Sequence, residues 1–183
     1  MDDIEVREVT PALWGDFEQL FESRGGPKHC WCMLGRKDDE TGRAPHGRDA
    51  VKAAMRRKIT GGVRVGLLAY SDGEPVAWCS VAPRETFTRL GAPLGENEDG
   101  ASVWSLTCFY VRSAFRRRGL MERLIEEAAR RARESGASVL EAYPTYPGSP
   151  SYLFGGYTPV FAAHGFREVG LLGIRRHIMR RDL

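Results

Sequence analysis

The sequence predicts an α/β domain: a mixed sheet flanked by helices and organised around one β-α-β unit. Three observations carry this. The β-branched and apolar run Val103 to Val111 leads through the basic turn Arg116-Arg117-Arg118-Gly119 into the amphipathic stretch Leu120 to Glu134, which reads as strand, turn and helix. A further apolar run, Ser138 to Tyr143, follows that helix closely, so it is expected to lie parallel to the first strand through a right-handed crossover. Upstream, Val63 to Tyr70 and Pro75 to Val81 flank Ser71-Asp72-Gly73-Glu74, and the Asp-Gly pair predicts an antiparallel hairpin.

The remaining elements follow in order. Ile4 to Val9 alternates apolar and charged residues as a half-buried strand does. Thr10-Pro11 supplies an N-cap and a first helical residue for a helix over Pro11 to Glu22, with Leu13, Trp14, Phe17, Leu20 and Phe21 at helical spacing. Asp49 to Lys58 predicts a second helix that stops at Gly61-Gly62. Ala82 to Ala101 has no period and reads as a long loop. Beyond the Pro-, Gly- and Tyr-studded loop Pro144 to Gly156 come a short helix, Thr158 to His164, and two closing strands, Phe166 to Gly170 and Gly173 to Met179.

With 183 residues and no internal repeat, one domain over 1–183 is expected. A 42 % hydrophobic, 28 % charged composition is that of a soluble globular chain, and the acidic start Met1-Asp2-Asp3 is unlike a signal peptide. A cytoplasmic protein with no membrane partner follows as the expectation. Net charge is only +3, which argues against a nucleic-acid partner, yet eight arginines fall between Arg112 and Arg133. That concentration points to a local anion site. A helix start carries unpaired N–H groups and partial positive charge, so a phosphate suits the Arg116–Gly119 turn. Four cysteines are too few for a disulfide framework. His29-Cys30-Trp31-Cys32-Met33-Leu34 lacks a second ligand pair at matching interval, so it reads as an apolar loop that packs or lines a pocket, with no metal.

The order of elements, Val111-x4-Arg116-Arg117-Arg118-Gly119-Leu120, and the later Phe161-Ala162-Ala163-His164-Gly165-Phe166 resemble the GNAT (Gcn5-related) N-acetyltransferase superfamily over roughly Ile4 to Met179. The resemblance implies a mostly antiparallel central sheet with an acetyl-CoA-binding β-α-β unit. It implies acetyl-CoA as co-substrate and transfer to a primary amine by direct attack in a ternary complex. By position, backbone groups of Phe109, Tyr110 and Val111 would bond the pantetheine arm, and amides of Arg116, Arg117, Arg118, Gly119, Leu120 and Met121 would cradle the pyrophosphate. The chain departs from the family pattern at three places. Met121 stands where Gly or Ala is usual, Ser105 where a strand glutamate is frequent, and Phe161 where many members have a proton-donating tyrosine.

Catalytic candidates are therefore Glu141, a charge in an otherwise apolar strand, Tyr157 as replacement acid, and Ser105. Cys108 has no base beside it in sequence and reads as a small buried hydrophobe. Trp31, Met33 and Tyr143 are expected, with Glu141, to line an apolar acceptor pocket. The expected acceptor is a small-molecule amine, and the chain a monomer or homodimer. The alternatives are a protein N-terminal or lysine acetyltransferase and a non-catalytic acetyl-CoA sensor.

Overall fold

The structure, a computed structural model, describes residues 4–88, 90 and 102–183. Among the described residues, seven strands form one sheet in the order β1-β2-β3-β4-β5-β7-β6. They are β1 Ile4–Glu8, β2 Gly66–Ser71, β3 Glu74–Pro83, β4 Val103–Val111, β5 Val139–Ala142, β6 Arg167–Leu172 and β7 Arg176–Asp182. Only β4 and β5 pair in parallel; every other neighbour is antiparallel. Helices α1 Trp14–Glu22, α2 Arg48–Thr60, α3 Leu120–Glu134 and α4 Thr158–Ala163 complete the fold. Central strand and helix thus coincide with the predicted Val103 to Val111 and Leu120 to Glu134.

Both faces of the sheet are covered, which explains why β2 is buried at every position. Alternation sorts its side chains: Leu67 and Ala69 join the cluster under α3, whereas Leu68 and Tyr70 join the cluster under α1 and α2. On α3 the buried stripe is Leu120, Leu124, Ile125, Ala128, Ala129 and Ala132, while Glu127 pairs with Arg130 and Arg131 on the outer side. Under α1, the Phe17 ring stacks on Phe21 at 4.2 Å and meets Trp78 edge-on at 5.0 Å. The expected hairpin forms as a two-residue turn, with Asp72 at φ 50° and Gly73 at φ 79° and with Ser71 paired to Glu74.

Local chemistry moves several boundaries. Thr10 makes no side-chain cap; instead Leu13 N–H bonds Thr10 O at 2.9 Å, so Pro11–Leu13 is a tight 3-10 turn and α1 starts at Trp14. Val63 belongs to the end of α2, its N–H bonding Lys58 O at 2.9 Å, which delays β2 to Gly66. Similarly, Phe166 N–H returns to Phe161 O at 3.1 Å and closes α4, so the closing strands begin later than predicted and run on to Leu172 and Asp182. β3 takes up Ala82 and Pro83 and a 3-10 turn follows over Arg84–Thr86; residues 89 and 91–101 of the expected loop lie outside the described residues. Among the described residues no helix is long and apolar enough to cross a membrane.

One irregularity positions the site. Ser80 pairs with Cys108 but Val81 pairs with Leu106, so Thr107 is an extra residue, a bulge in β4. The parallel pairing of β4 with β5 covers only Val103 to Leu106. Among the described residues, Thr107 to Val111 therefore have strand β3 on one side and no strand on the other. Their outward backbone groups need another partner.

Candidate active site

The unpaired edge of β4 opens onto a cleft of about 710 Å³ whose far wall is the turn into α3. Phe109, Tyr110 and Val111 line it, as do Arg116, Arg117, Gly119, Leu120 and Met121. Gly119 is left-handed at φ 74° and offers no side-chain cap, so the first N–H groups of α3 keep their donor capacity for an external acceptor. Arg117 is also left-handed, at φ 60°. The Arg116 Nε donates to Val111 O at 3.0 Å across the turn, and the Arg118 guanidinium lies 5.4 Å from the Phe115 ring centroid. Guanidinium charge and free amides converge on one anion-sized rim.

Met121 finds its room at Gly156. A Cβ built on Gly156 meets Met121 Cε at 2.2 Å, and φ there is +80°, so the glycine leaves both the space and the backbone freedom that the methionine side chain requires. Phe161 is fully buried beside them, between Phe109 at 6.2 Å and Phe166 at 5.1 Å, as a core residue with nothing to donate. Tyr157, in contrast, stands on the rim of the cleft, 37 % exposed, where it immediately precedes α4 and bridges to Thr145.

A second cavity, of about 290 Å³, adjoins the cleft and shares Phe109, Tyr110 and Phe154 with it. Trp31 and Met33 do not line it, which corrects the expectation for both. They are core residues, with Trp31 stacked on Trp14 at 5.9 Å and on Phe21 at 5.4 Å, and it is Cys30, Cys32 and Leu34 that reach the cavity. Two successive left-handed residues, Trp31 at φ 43° and Cys32 at φ 51°, set this alternation. Trp78 Nε1 donates to Cys32 Sγ at 2.9 Å, anchoring the loop on β3. Contact with Cys32 and then burial push the Cys30 thiol up, and burial does the same to Cys32, so the wall they form is neutral. Cys108 lines the same wall, half-buried and packed against the α1–α2 core.

Beneath the cavity the cross-strand register assembles a polar row. Ser105 of β4 faces Glu141 of β5, and Glu141 faces Arg180 of β7. Arg180 Nε donates to Glu141 Oε2 at 2.6 Å, Arg84 Nε stands 3.6 Å from Oε1, and the Tyr143 hydroxyl donates to that same Oε1. Ser105 Oγ lies 2.9 Å from the Tyr143 hydroxyl. Glu141 and Ser105 are wholly buried, and Tyr143 alone of the row reaches the cavity surface. Glu141 therefore has no oxygen directed at the cavity, contrary to its expected place in the acceptor lining; a buried carboxylate is tolerated here because two guanidinium groups and a hydroxyl surround it. Burial, then the Glu141 charge, push the Tyr143 phenol up, so it stays a neutral donor. Arg84 and Arg180 were missed from sequence: the register of β5 with β7 could have pointed to Arg180, and nothing local marks Arg84, which comes from the turn after β3. His164, in turn, holds Glu126 at 2.7 Å on the opposite side of the molecule's sheet, against α3.

A family model described as the acetyltransferase (GNAT) family matches residues 31–152. No curated protein matches the chain. Among solved structures, the chain resembles a PaiA N-acetyltransferase from Thermoplasma acidophilum in complex with coenzyme A, at 13 % identity and TM-score 0.56 over 99 % of both chains. It also resembles an aminoglycoside N-acetyltransferase, AAC(6')-Iy, in complex with CoA, at 18 % identity and TM-score 0.58, covering 95 % of this chain and 94 % of the other. An agmatine N-acetyltransferase matches at 15 % identity and TM-score 0.57 over 100 % of both chains.

Proposed function

The chain belongs to the acetyltransferase (GNAT) family, and from that premise we propose that it moves an acetyl group from acetyl-CoA to a small-molecule amine by direct attack in a ternary complex. The observation that carries this is the continuous track from the unpaired edge of β4, Thr107 to Val111, to the uncapped start of α3 at Gly119. In this reading backbone groups of Phe109, Tyr110 and Val111 take the pantetheine amides. The amides from Arg117 to Met121, with the arginine charges, hold the pyrophosphate; the Arg116 N–H, expected in that cradle, is instead engaged by Ser113 O at 3.4 Å. The adjoining 290 Å³ cavity supports a small acceptor over a peptide segment.

The chemistry needs a neutral amine held against the thioester carbonyl and a proton for the departing sulfur. Tyr157, exposed on the rim, is the proposed donor of that proton, since Phe161 has none to give. Tyr143 is the polar group offered to the amine side; Ser105 and Glu141 orient its hydroxyl from behind and are positioning residues rather than direct bases. The amine proton then leaves to solvent or along the Tyr143 hydroxyl.

The test is thiol release from acetyl-CoA across an amine library, alongside calorimetric CoA binding. Y157F should lower kcat about 100-fold with KM for acetyl-CoA little changed, the size expected for loss of a general acid. CoA binding without turnover of any amine would favour a non-catalytic sensor.

A further inference from the structure

Resting on the acetyltransferase reading, we propose that the acceptor is an amine with a compact apolar body and a carboxylate, and that Arg176 receives the carboxylate. The cavity is walled by Pro27, Leu34, Phe154 and neutral thiols, and its described lining contains no aspartate or glutamate. Arg176 is the one charged side chain among the described lining residues. Arg176 is half-buried, with its Nε closed off by the surrounding chain, so its terminal nitrogens are the donors it presents. The Tyr152 ring covers one face of the guanidinium, 4.7 Å from centroid to Cζ. Stacking engages the face of the planar group and leaves its N–H edge for an in-plane acceptor.

The terminal edge of a guanidinium matches a carboxylate with two parallel hydrogen bonds, and an apolar wall strengthens them. The opposite charge inside the protein is already taken. Glu141 lies behind Tyr143 and is engaged by Arg180 and Arg84, so it has nothing left for a second cation in the cavity. A polycationic acceptor would meet Arg176 and find no counter-ion. A carboxylated amine brings its own balance: the carboxylate pairs with Arg176, and the amine, once deprotonated, adds no charge to an apolar chamber. The size of the cavity, about 290 Å³, holds this to a single ring or a short branched chain.

The test uses probe pairs differing by a carboxylate: L-phenylalanine against phenethylamine, and para-(aminomethyl)benzoate against benzylamine, which space the carboxylate differently from the nitrogen. Agmatine serves as the polycation. Binding to the full chain is measured by calorimetry with and without CoA, and turnover by thiol release from acetyl-CoA. At least one carboxylate is expected to bind about tenfold or more tightly than its partner amine, the effect of one charge-assisted hydrogen bond. R176Q, checked for folding by circular dichroism, should bring that ratio close to one, and R176K should restore part of it. Equal or tighter binding of the bare amines or agmatine overturns the proposal, as does failure of both carboxylates to bind or a ratio that survives R176Q. A preference for carboxylates with no thiol release sinks acetyl transfer and leaves the Arg176 assignment standing. Thiol release with no carboxylate preference does the reverse.

Discussion

The cleft proposed for the donor and the cavity proposed for the acceptor share a wall at Phe109, Tyr110 and Phe154, yet they are built on opposite plans. The cleft is mainly a local construction: one strand edge, one turn and one helix start run from Phe109 to Glu122 and offer backbone groups, and Leu153, Phe154 and Tyr157 close it. The cavity draws on the Pro27–Leu34 loop, β4, Tyr143, Phe154 and Arg176, and offers side chains. Backbone donors survive substitution of the residues that carry them, so the cleft tolerates Met121. A side-chain wall has no such tolerance, and its polarity rests on single residues such as Tyr143 and Arg176.

This contrast can be broken most severely beneath the cavity. E141Q removes the negative charge that the Arg180 and Arg84 guanidinium groups face in a buried site and should cost about 3–5 kcal/mol of stability, read by urea denaturation. A loss below about 1 kcal/mol would show that the polar row is not held as the cross-strand register implies. Next in size, G156A introduces a Cβ against Met121 at a position, φ 80° and ψ −169°, that only glycine adopts readily, costing about 1–3 kcal/mol for the backbone alone and more for the contact. M121A in the same chain removes only the steric share. A coupling of at least about 0.5 kcal/mol in the double-mutant cycle is expected, and additivity would separate the two residues.

A smaller effect sharpens the donor side. R116A/R117A should weaken CoA about tenfold or more at low salt, with the deficit shrinking as ionic strength rises, while fold stability changes little because both side chains are exposed. A salt-independent deficit would mean that these arginines act through the shape of the turn. Smallest is E126Q on the outer side of α3. Arg181, then His164, hold the Glu126 carboxyl below its ordinary value. A carboxyl with a depressed folded pKa contributes above its unfolded pKa and loses that contribution as pH falls through the folded one. E126Q should therefore lower stability by less than about 1 kcal/mol at pH 7, and the difference from the parent should close on acidification below pH 4.5.

What was legible in the chain follows the same division. β4 and α3 were readable to the residue because a β-branched run and a 3.6-residue apolar stripe are local signals, and the Asp72-Gly73 turn was readable because both residues tolerate positive φ. Boundaries slipped where a backbone bond reached back to a helix, as from Val63 to Lys58 and from Phe166 to Phe161. Trp31 and Met33 lie in the core and not on the cavity wall, because aromatic or apolar character alone does not say whether a side chain lines a pocket or fills a core.

Periodicity and backbone groups a few residues apart made the strand–turn–helix unit and the family readable in the chain, and from them comes the place proposed for an anionic donor. It took the packed chain to show that Glu141 is enclosed, that the cavity-lining Tyr143 donates to it, and that Arg176 lines an apolar chamber. Each of those depends on charges from distant segments brought into one low-dielectric space, where what a carboxylate or guanidinium can do is set by which partners are already taken.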